Sequence, residues 1–143
     1  MKEEWASTRI VTKGKVHLTE NLPGFIVIYK KRRVGLITYN IIDEECEIVS
    51  LNSLIKNSGI GTILLSSLEH IAKSRGCKRI WLITTNDNVE ALRFFQLKGY
   101  YIKEIRINAV SNSRKLKPEI PFLGLYNIEI RDEIELEKIL TKI

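Results

Sequence analysis

Short segments rich in β-branched and aromatic residues alternate with turn residues in the first third of the chain. Residues 24–29 and 34–39 flank a turn of four basic residues at 30–33, and this pattern predicts an antiparallel hairpin. Residues 46–51 alternate polar and apolar side chains after an acidic turn at 43–45, which predicts a third strand. We therefore expect a β-meander, with a short strand at 7–11 ahead of it.

The hydrophobic period changes after Gly61. Apolar residues recur at helical spacing from Leu64 to Ala72, and Gly76 is placed to end this helix. The run at 79–84 is almost continuously apolar, which is typical of a strand buried on both faces, as in a parallel pair. The middle of the chain therefore predicts a helix followed by a buried strand.

A second helix and another strand are predicted next. Polar residues at 86–88 can cap a helix that Gly99 ends, and residues 100–105 return as a strand. Residues 107–121 are polar and contain two prolines, so we expect a long loop there. The order of elements predicts an α+β fold with a mixed, mostly antiparallel sheet and flanking helices.

The C-terminal residues predict a final helix. Asp132 is followed three positions later by Glu135, which is the spacing of a capping box. Ile139, Leu140 and Ile143 would then dock on the sheet.

The composition fits one globular domain over residues 1–143. Hydrophobic residues make up 44% of the chain and charged residues 28%, which excludes a disordered, collagen-like or coiled-coil protein. No apolar run reaches the roughly 18 residues of a membrane helix, and the first residues lack the apolar core of a signal peptide. The two cysteines and two histidines lack the spacing of metal ligands. We expect a cytoplasmic protein without a bound metal or a membrane partner.

The net charge of +6, from 23 Lys and Arg against 17 Asp and Glu, favours anionic partners. Basic residues cluster only at 30–33 and 114–117. We interpret both clusters first as solvated loops, with an anionic small molecule and a nucleic acid as the alternatives. No aromatic and basic signature of an RNA-binding module accompanies them.

The segment between the third strand and the first helix is the strongest candidate site. Gly59 and Gly61 stand directly before that helix, where glycine lets the backbone turn sharply and adds no side chain that would block a ligand. The first N–H groups of a helix have no internal acceptors and lie at the positive end of its dipole. The pattern predicts a phosphate cradle, with packing glycines as the alternative. It matches neither the Walker loop nor the dinucleotide fingerprint.

Two motifs together resemble the GNAT superfamily of acyl-CoA-dependent N-acetyltransferases. The loop at 56–61, KNSGIG, is similar to the family's Gln/Arg-x-x-Gly-x-Gly/Ala. Residues 88–100, NVEALRFFQLKGY, are similar to its Asn-x-x-Ala-x-x-x-Tyr-x-x-x-Gly-Phe signature. The resemblance covers roughly residues 24–105. It implies a GNAT-like fold with a central parallel strand pair and with N-terminal helices that are shortened or missing.

This resemblance implies that acetyl-CoA is the co-substrate and lies between the strands at 46–51 and 79–84. Loop N–H groups would hold its pyrophosphate, and its pantetheine arm would pair with the preceding strand like an added strand. The implied binding positions are Leu51, Asn52, Ser53, Lys56, Asn57, Ser58, Gly59, Ile60, Gly61, Thr62, Asn86, Asn88 and Phe95.

The resemblance further implies transfer of an acetyl group to a primary amine by direct attack. Glu47, beside the cofactor, is the candidate base, acting through water; an exposed strand residue is its alternative. Many family members place a tyrosine near the sulfur, at the position of Phe95, which has no proton to donate. Tyr100 is a candidate substitute acid, as are Tyr101 and Tyr39, with sheet packing as the alternative for each.

Alternatives to an enzyme remain open at this point. Phe95 favours a module that binds and senses acetyl-CoA without turning it over, and the basic charge favours a nucleic-acid-binding domain. For an enzyme, the acceptor is a small-molecule or peptide amine. Few residues precede the first hairpin, so the acceptor groove is either open or covered by a second subunit, and a homodimer is one expectation.

Overall fold

The computed structural model describes residues 22–55 and 58–140 and the backbone of residues 4–10. The chain divides into two compact units, Met1–Ile80 with Ile139–Ile143 and Trp81–Lys138, which we call the first and second units. In the described part of the chain, no helix has the length and apolar character needed to cross a membrane.

The elements follow the predicted order through the first six strands. The strands are β1 (Glu4–Ile10), β2 (Pro23–Tyr29), β3 (Arg32–Ile42), β4 (Glu45–Ser53), β5 (Arg79–Thr85), β6 (Tyr101–Arg106) and β7 (Glu133–Ile139). The helices are α1 (Ile60–Ser74), α2 (Val89–Leu97) and α3 (Ala109–Leu116), and a short 3-10 helix spans Leu125–Asn127. The fold is α+β with mostly antiparallel strands and flanking helices, as the sequence predicts.

In the first unit, the strands pair in the order β1-β2-β3-β4, each antiparallel to the next. Both hairpin turns in this meander have positive φ at two consecutive residues, Lys30 and Lys31 in one and Asp43 and Glu44 in the other. Turns with positive φ at both central residues match the right-handed twist of paired strands. The predicted meander is therefore confirmed. A strand near 7–11 is also confirmed, as β1. Residues 11–21, which would show whether the N-terminal helices are shortened or missing, lie outside the described residues.

Helix α1 packs against β3 at a glycine. A Cβ added to Gly35 would lie 2.5 Å from Cγ2 of Ile60 and 3.0 Å from Cδ1 of Leu64. Both are buried residues of α1, at 1% and 0% exposure. The missing side chain at Gly35 therefore lets the first turns of α1 sit directly on the sheet. At its other end α1 stops where predicted, since Gly76 has φ +75° and its N–H donates to the carbonyl of Lys73 at 3.0 Å.

Strands β4 and β5 start side by side in the first unit. The N–H of Lys78 donates to the carbonyl of Glu44 at 2.7 Å, and Arg79 pairs with Glu45 at 3.1 Å. Because β4 and β5 have their first residues next to each other, they run in the same direction from that point, as expected for the predicted parallel pair. Burial differs from the prediction, because Ile83 of β5 is 41% exposed. Strand β5 is thus not buried on both faces.

In the second unit, the strand order is β5-β7-β6, and β6 pairs with β7 in antiparallel fashion. Helix α2 begins as predicted, with Oδ1 of Asn88 accepting a hydrogen bond from the N–H of Ala91 at 3.2 Å. Gly99, with φ +95°, follows the helix end. The predicted helix and its two boundary signals are confirmed.

The predicted terminal helix is wrong, because that segment forms strand β7. Residues 134–136 are all buried, and the apolar Ile134 and Leu136 recur at a spacing of two, which is the period of a strand. Strand β7 pairs with β6 in antiparallel register. Asp132 does not cap a helix; its carboxylate accepts a hydrogen bond from the N–H of Asn108 at 2.7 Å. Ile139 is 58% exposed and does not dock. Ile143 lies outside the described residues.

The predicted loop at 107–121 contains helix α3, so that prediction is also wrong. The basic cluster at 114–117 begins inside this helix and is not a solvated loop. Arg114 donates hydrogen bonds to the carbonyls of Ile120, Pro121 and Ile130 at 2.7–3.2 Å. Its guanidinium is therefore occupied in holding the segment that follows α3.

Candidate functional site

The candidate site of the first unit is the N-terminus of α1, which we call the cradle (residues 59–62). Gly59 is the N-cap, with φ 83° and ψ 0°. The first intrahelical hydrogen bond joins the N–H of Ile63 to the carbonyl of Gly59 at 3.0 Å. The N–H groups of residues 60, 61 and 62 precede that bond and have no acceptor within the helix.

The space in front of the cradle fits an anion. A Cβ added to Gly59 would meet no atom within 4 Å, and the N–H of Ile60 donates only a long hydrogen bond, of 3.4 Å, to Oγ of Ser58. Helix N-termini with open N–H groups bind phosphate, because the helix dipole adds partial positive charge there. The residues present therefore fit the pyrophosphate of coenzyme A. Lys56 and Asn57 lie outside the described residues.

Two serine hydroxyls shape the loop before the cradle. Ser53 and Ser58 both donate hydrogen bonds to the carbonyl of Ile55, at 2.9 and 2.7 Å. Oγ of Ser58 also lies 3.4 Å from the N–H of Ile60. Because both hydroxyl protons are used within the loop, Ser53 and Ser58 have their backbone N–H groups to offer an anion.

Strand β4 carries a bulge between the candidate base and the cradle. Tyr39 pairs with Ile48 and Thr38 pairs with Ser50, so Val49 is the extra residue. A bulge bends a strand and increases its local twist. Beyond it, Leu51, Asn52 and Ser53 pair with residues 37, 36 and 35 of β3. One edge of the predicted pantetheine-binding backbone is thus fixed by β3.

Glu47 precedes this bulge and pairs with Asn40. Its side chain is half-buried, and burial raises the pKa of its carboxyl above the ordinary value. A carboxyl with a raised pKa is a stronger base than a fully hydrated one. Glu47 is therefore partly buried, unlike the exposed strand residue that was its alternative.

The predicted residues of the second unit have different surroundings. Oδ1 of Asn88 caps α2, which leaves the amide NH₂ of this side chain for another partner. Oδ1 of Asn86 instead accepts hydrogen bonds from the N–H groups of Arg131 and Asp132, both at 2.9 Å, and its NH₂ donates to the carbonyl of Glu129 at 2.9 Å. The amide of Asn86 therefore holds the chain before β7.

Phe95 and Tyr100 lie in the aromatic core of the second unit. They are 3% and 1% exposed, and their ring centroids are 5.4 Å apart in an edge-to-face arrangement. Nζ of Lys138 lies 5.5 Å from the centre of the Tyr100 ring. Both rings thus contribute to the packing of the second unit, as the sheet-packing alternative for Tyr100 expects.

The predicted site residues form two groups. The first unit brings Glu47, the backbone at 51–53 and the cradle together along β4 and into α1. The second unit brings Asn88, Phe95 and Tyr100 together on and after α2, and it ties Asn86 to the residues before β7.

Neither cysteine is suited to be a nucleophile. Cys46 and Cys77 are 0% and 5% exposed. Burial raises the pKa of the Cys46 thiol to about 12 and also raises that of Cys77. The reactive thiolate is therefore disfavoured at neutral pH. Among the residues that the structure describes, no group of three or more His, Cys, Asp or Glu side chains could hold a metal ion.

Sequence analysis missed Gly35, which positions the cradle from the neighbouring strand. A glycine inside a predicted strand is a signal for close approach of another segment. The sequence does not say which segment approaches. The structure identifies it as the first turn of α1.

Comparison with known proteins identifies the family of this chain. The family model described as "Acetyltransferase (GNAT) family" matches residues 2–100. The Bacillus subtilis (strain 168) protein YxbD is 44% identical over 138 residues, which cover 96% of this chain and 87% of YxbD.

Two solved structures share the fold. An IAA acetyltransferase from Bacillus cereus ATCC 14579 superposes with a TM-score of 0.73 at 21% identity, covering 85% of this chain and 80% of that one. A GNAT family acetyltransferase from Elizabethkingia anophelis, with acetyl-CoA bound, has a TM-score of 0.73 at 24% identity, covering 83% and 76%. The family match extends over more than half of the chain, and this chain belongs to the GNAT family of acetyltransferases.

Proposed function

We propose that this protein transfers an acetyl group from acetyl-CoA to a primary amine by direct attack of the amine. The observation that carries the proposal is the cradle, an open glycine-capped helix N-terminus that directly follows a bulged strand, in a chain of the GNAT family. Acetyl-CoA supplies a thioester, whose C–S bond breaks as the acetyl group passes to the amine nitrogen.

The cradle would hold the pyrophosphate through the N–H groups of residues 60–62, together with Lys56, Asn57 and Ser58 before it. The backbone of Leu51, Asn52 and Ser53 would orient the pantetheine arm, and an N–H at Leu51 or Asn52 would stabilise the developing oxyanion. The amide NH₂ of Asn88, which the cap of α2 does not use, is a donor that we propose for acetyl-CoA. We retain Asn86 and Phe95 as binding positions in the proposal, although the Asn86 amide also holds the chain at 129–132.

Direct attack is supported by the state of the two thiols. A route through an acetylated cysteine would need an accessible thiolate, and Cys46 and Cys77 are both buried with raised pKa values. The base then has to deprotonate the amine itself, whose reference pKa is near 10.4 for a lysine-like group. Glu47 is the carboxylate of β4 that we propose for this task, acting through water.

A Glu47→Gln variant is expected to lower kcat about 10²–10⁴-fold, because the base is lost while shape is kept. Wild-type kcat should rise with pH through the raised pKa of Glu47, and this acidic limb should vanish in the variant. Burial disfavours the charged form of Glu47, so ionised Glu47 lowers the free energy of unfolding at pH values above its raised pKa. The variant should therefore unfold no more easily at neutral pH.

The matched control for this variant is Glu45→Gln, also on β4. Glu45 is exposed and pairs with Arg79, so its neutral form should retain wild-type kcat. Steady-state rates over a range of pH and urea denaturation provide both readouts. An unchanged kcat and an intact acidic limb in Glu47→Gln would remove Glu47 as the base.

Phe95 supports a second candidate, a module that binds acetyl-CoA without turnover. A thiol has a reference pKa near 8.5 and leaves without help, so loss of an acid slows transfer and does not prevent it. We therefore expect thiol release from acetyl-CoA with at least one member of a panel of amines, detected with DTNB. Binding without release for every amine would favour the sensor.

The same assay tests the proton donor. Tyr100→Phe should slow release if the Tyr100 hydroxyl serves the leaving sulfur, and Phe95→Tyr should speed it if position 95 faces that sulfur. Because both rings are packed against each other, the unfolding midpoint of each variant has to be measured alongside the rate.

The acceptor in this proposal is a small-molecule or peptide amine. We include a homodimer, in which a second subunit covers the acceptor side. In the part of the chain that the structure describes, strand β6 is the last strand of the sheet order and Tyr101 is 76% exposed, and an unpaired sheet edge of this kind favours pairing with another chain. Sedimentation as a monomer at micromolar concentration would contradict the dimer.

A further inference from the structure

Four consecutive cations form the turn between β2 and β3, which we call the basic turn (residues 30–33). All four side chains are exposed. Lys30 lies over the ring of Tyr29, with its Nζ 5.4 Å from the ring centre. None of the four forms an ion pair with an acidic residue in the described part of the chain. The basic turn therefore presents concentrated positive charge to solvent.

The opposite end of the same meander is neutralised. The acidic turn between β3 and β4 carries Glu44, which pairs with Lys78 at 3.3 Å, and Glu45 pairs with Arg79 at 3.1 Å. Among the described side chains of the first unit, Glu44 and Glu45 thus have cationic partners at one end of the meander, and the four cations at the other end have no acidic partner. The positive charge of the first unit is therefore concentrated at the basic turn and is not spread evenly over its described surface.

The strand register places the basic turn beside the cradle. Gly35 pairs with Ser53, and the N–H of Leu54 donates to the carbonyl of Val34 at 2.9 Å. Gly35 also lies directly under Ile60 of the cradle. Arg33 precedes Gly35 by two residues, which is about 7 Å along a strand.

We infer that the basic turn binds a second phosphate of the nucleotide whose diphosphate occupies the cradle. The inference rests on the proposed function, since it assigns the partner of the cofactor's remaining anionic group. Coenzyme A carries such a group, the phosphate monoester at its ribose 3′ position. A monoester with a charge of about −1.5 to −2 gains more from a cluster of cations than a diester does.

The test compares coenzyme A with 3′-dephospho-coenzyme A, which lacks only that phosphate. By calorimetry at low ionic strength, the wild-type protein should bind coenzyme A about threefold to tenfold more tightly. The preference should shrink as salt is added, because the contacts are exposed. An Arg32→Gln/Arg33→Gln variant, which keeps Lys30 and Lys31, should lose most of this preference, with affinity for the dephospho compound close to that of wild type.

The matched control is Lys115→Gln/Lys117→Gln, which removes the same number of charges from α3 and the residue after it. It should keep the preference for coenzyme A. The inference is overturned if wild type binds both ligands equally, or if the Arg32→Gln/Arg33→Gln variant keeps the preference. Both results leave the proposed function intact, whereas absence of binding by either ligand to wild type contradicts the proposed function itself. An RNA oligonucleotide that outcompetes coenzyme A and loses affinity in the variant would also overturn the inference.

Discussion

A Gly59→Asp variant is expected to bind coenzyme A at least about 100-fold more weakly than the wild-type protein. The new carboxylate would fill the open space before α1, accept the N–H groups of the cradle and repel the diphosphate. Hydrogen bonds to charged groups contribute about 1.5–3 kcal/mol each, and 1.4 kcal/mol is a tenfold change in affinity. The variant should still fold, because aspartate is favourable at a helix N-terminus and tolerates a left-handed conformation better than most residues.

Gly76→Asp is the matched control for this result. Gly76 follows the other end of α1, also has positive φ, and an added Cβ there also meets no atom within 4 Å. The backbone strain is therefore similar, and an acidic residue near a helix C-terminus is less favourable than one at the N-terminus. Gly76→Asp should lose stability and keep its affinity for coenzyme A. Equal loss of affinity in both variants would mean that general destabilisation, and not the cradle, explains the effect.

A Gly35→Val variant is expected to lower the free energy of unfolding by about 1–3 kcal/mol, the usual cost of overpacking. A Cβ at this position would come within 2.5 Å of Ile60 and 3.0 Å of Leu64. Because both contacts belong to the first turns of α1, relief of the clash would displace the cradle as well. Urea denaturation should show the lost stability, and calorimetry should show weaker binding of coenzyme A.

A double-mutant cycle separates this contact from other effects. Gly35→Ala and Ile60→Ala should each destabilise the protein, and the double variant should lose less than the sum, since truncation of Ile60 makes room for the added methyl. Residues in contact usually show interaction energies of about 0.5–3 kcal/mol. Additive costs together with unchanged binding of coenzyme A would contradict the role assigned to Gly35.

The elements that were predicted correctly are those whose boundaries are set by residues at the boundary itself. The two hairpin turns, the capping side chain of Asn88 and the terminal glycines at 76 and 99 all act within a few residues of where they stand. The segment after Asp132 carries conflicting signals. Asp132 and Glu135 have the spacing of a capping box, and Ile139, Leu140 and Ile143 recur at helical spacing, whereas Ile134 and Leu136 alternate. Pairing with β6 decides in favour of the strand, and the sequence does not reveal that pairing.

Helix α3 was missed because polar residues and prolines dominate its surroundings. Val110 is its buried residue, which is too little apolar surface to give a periodic signal. The helix instead depends on longer-range contacts, such as the carbonyl of Ile130 bound by Arg114, 16 residues away, and the Asp132 carboxylate that receives the N–H of Asn108, 24 residues away. Contacts of this kind join residues far apart in the sequence.

The candidate site was predictable where backbone groups form it. The pattern of Gly59 and Gly61 before a helix identified the cradle, since glycine conformation and helix geometry are local properties. The roles of Asn86 and Gly35 were not predictable, because each depends on a segment that the fold brings in from elsewhere. A raised pKa at Glu47 likewise follows from burial, which one strand's sequence does not specify.

Calorimetric titration of the wild-type protein with coenzyme A tests the central claim most directly. The account predicts saturable binding with one site per chain that is lost in Gly59→Asp and kept in Gly76→Asp. Failure of coenzyme A to bind the folded wild-type protein, even at millimolar concentration, would contradict it.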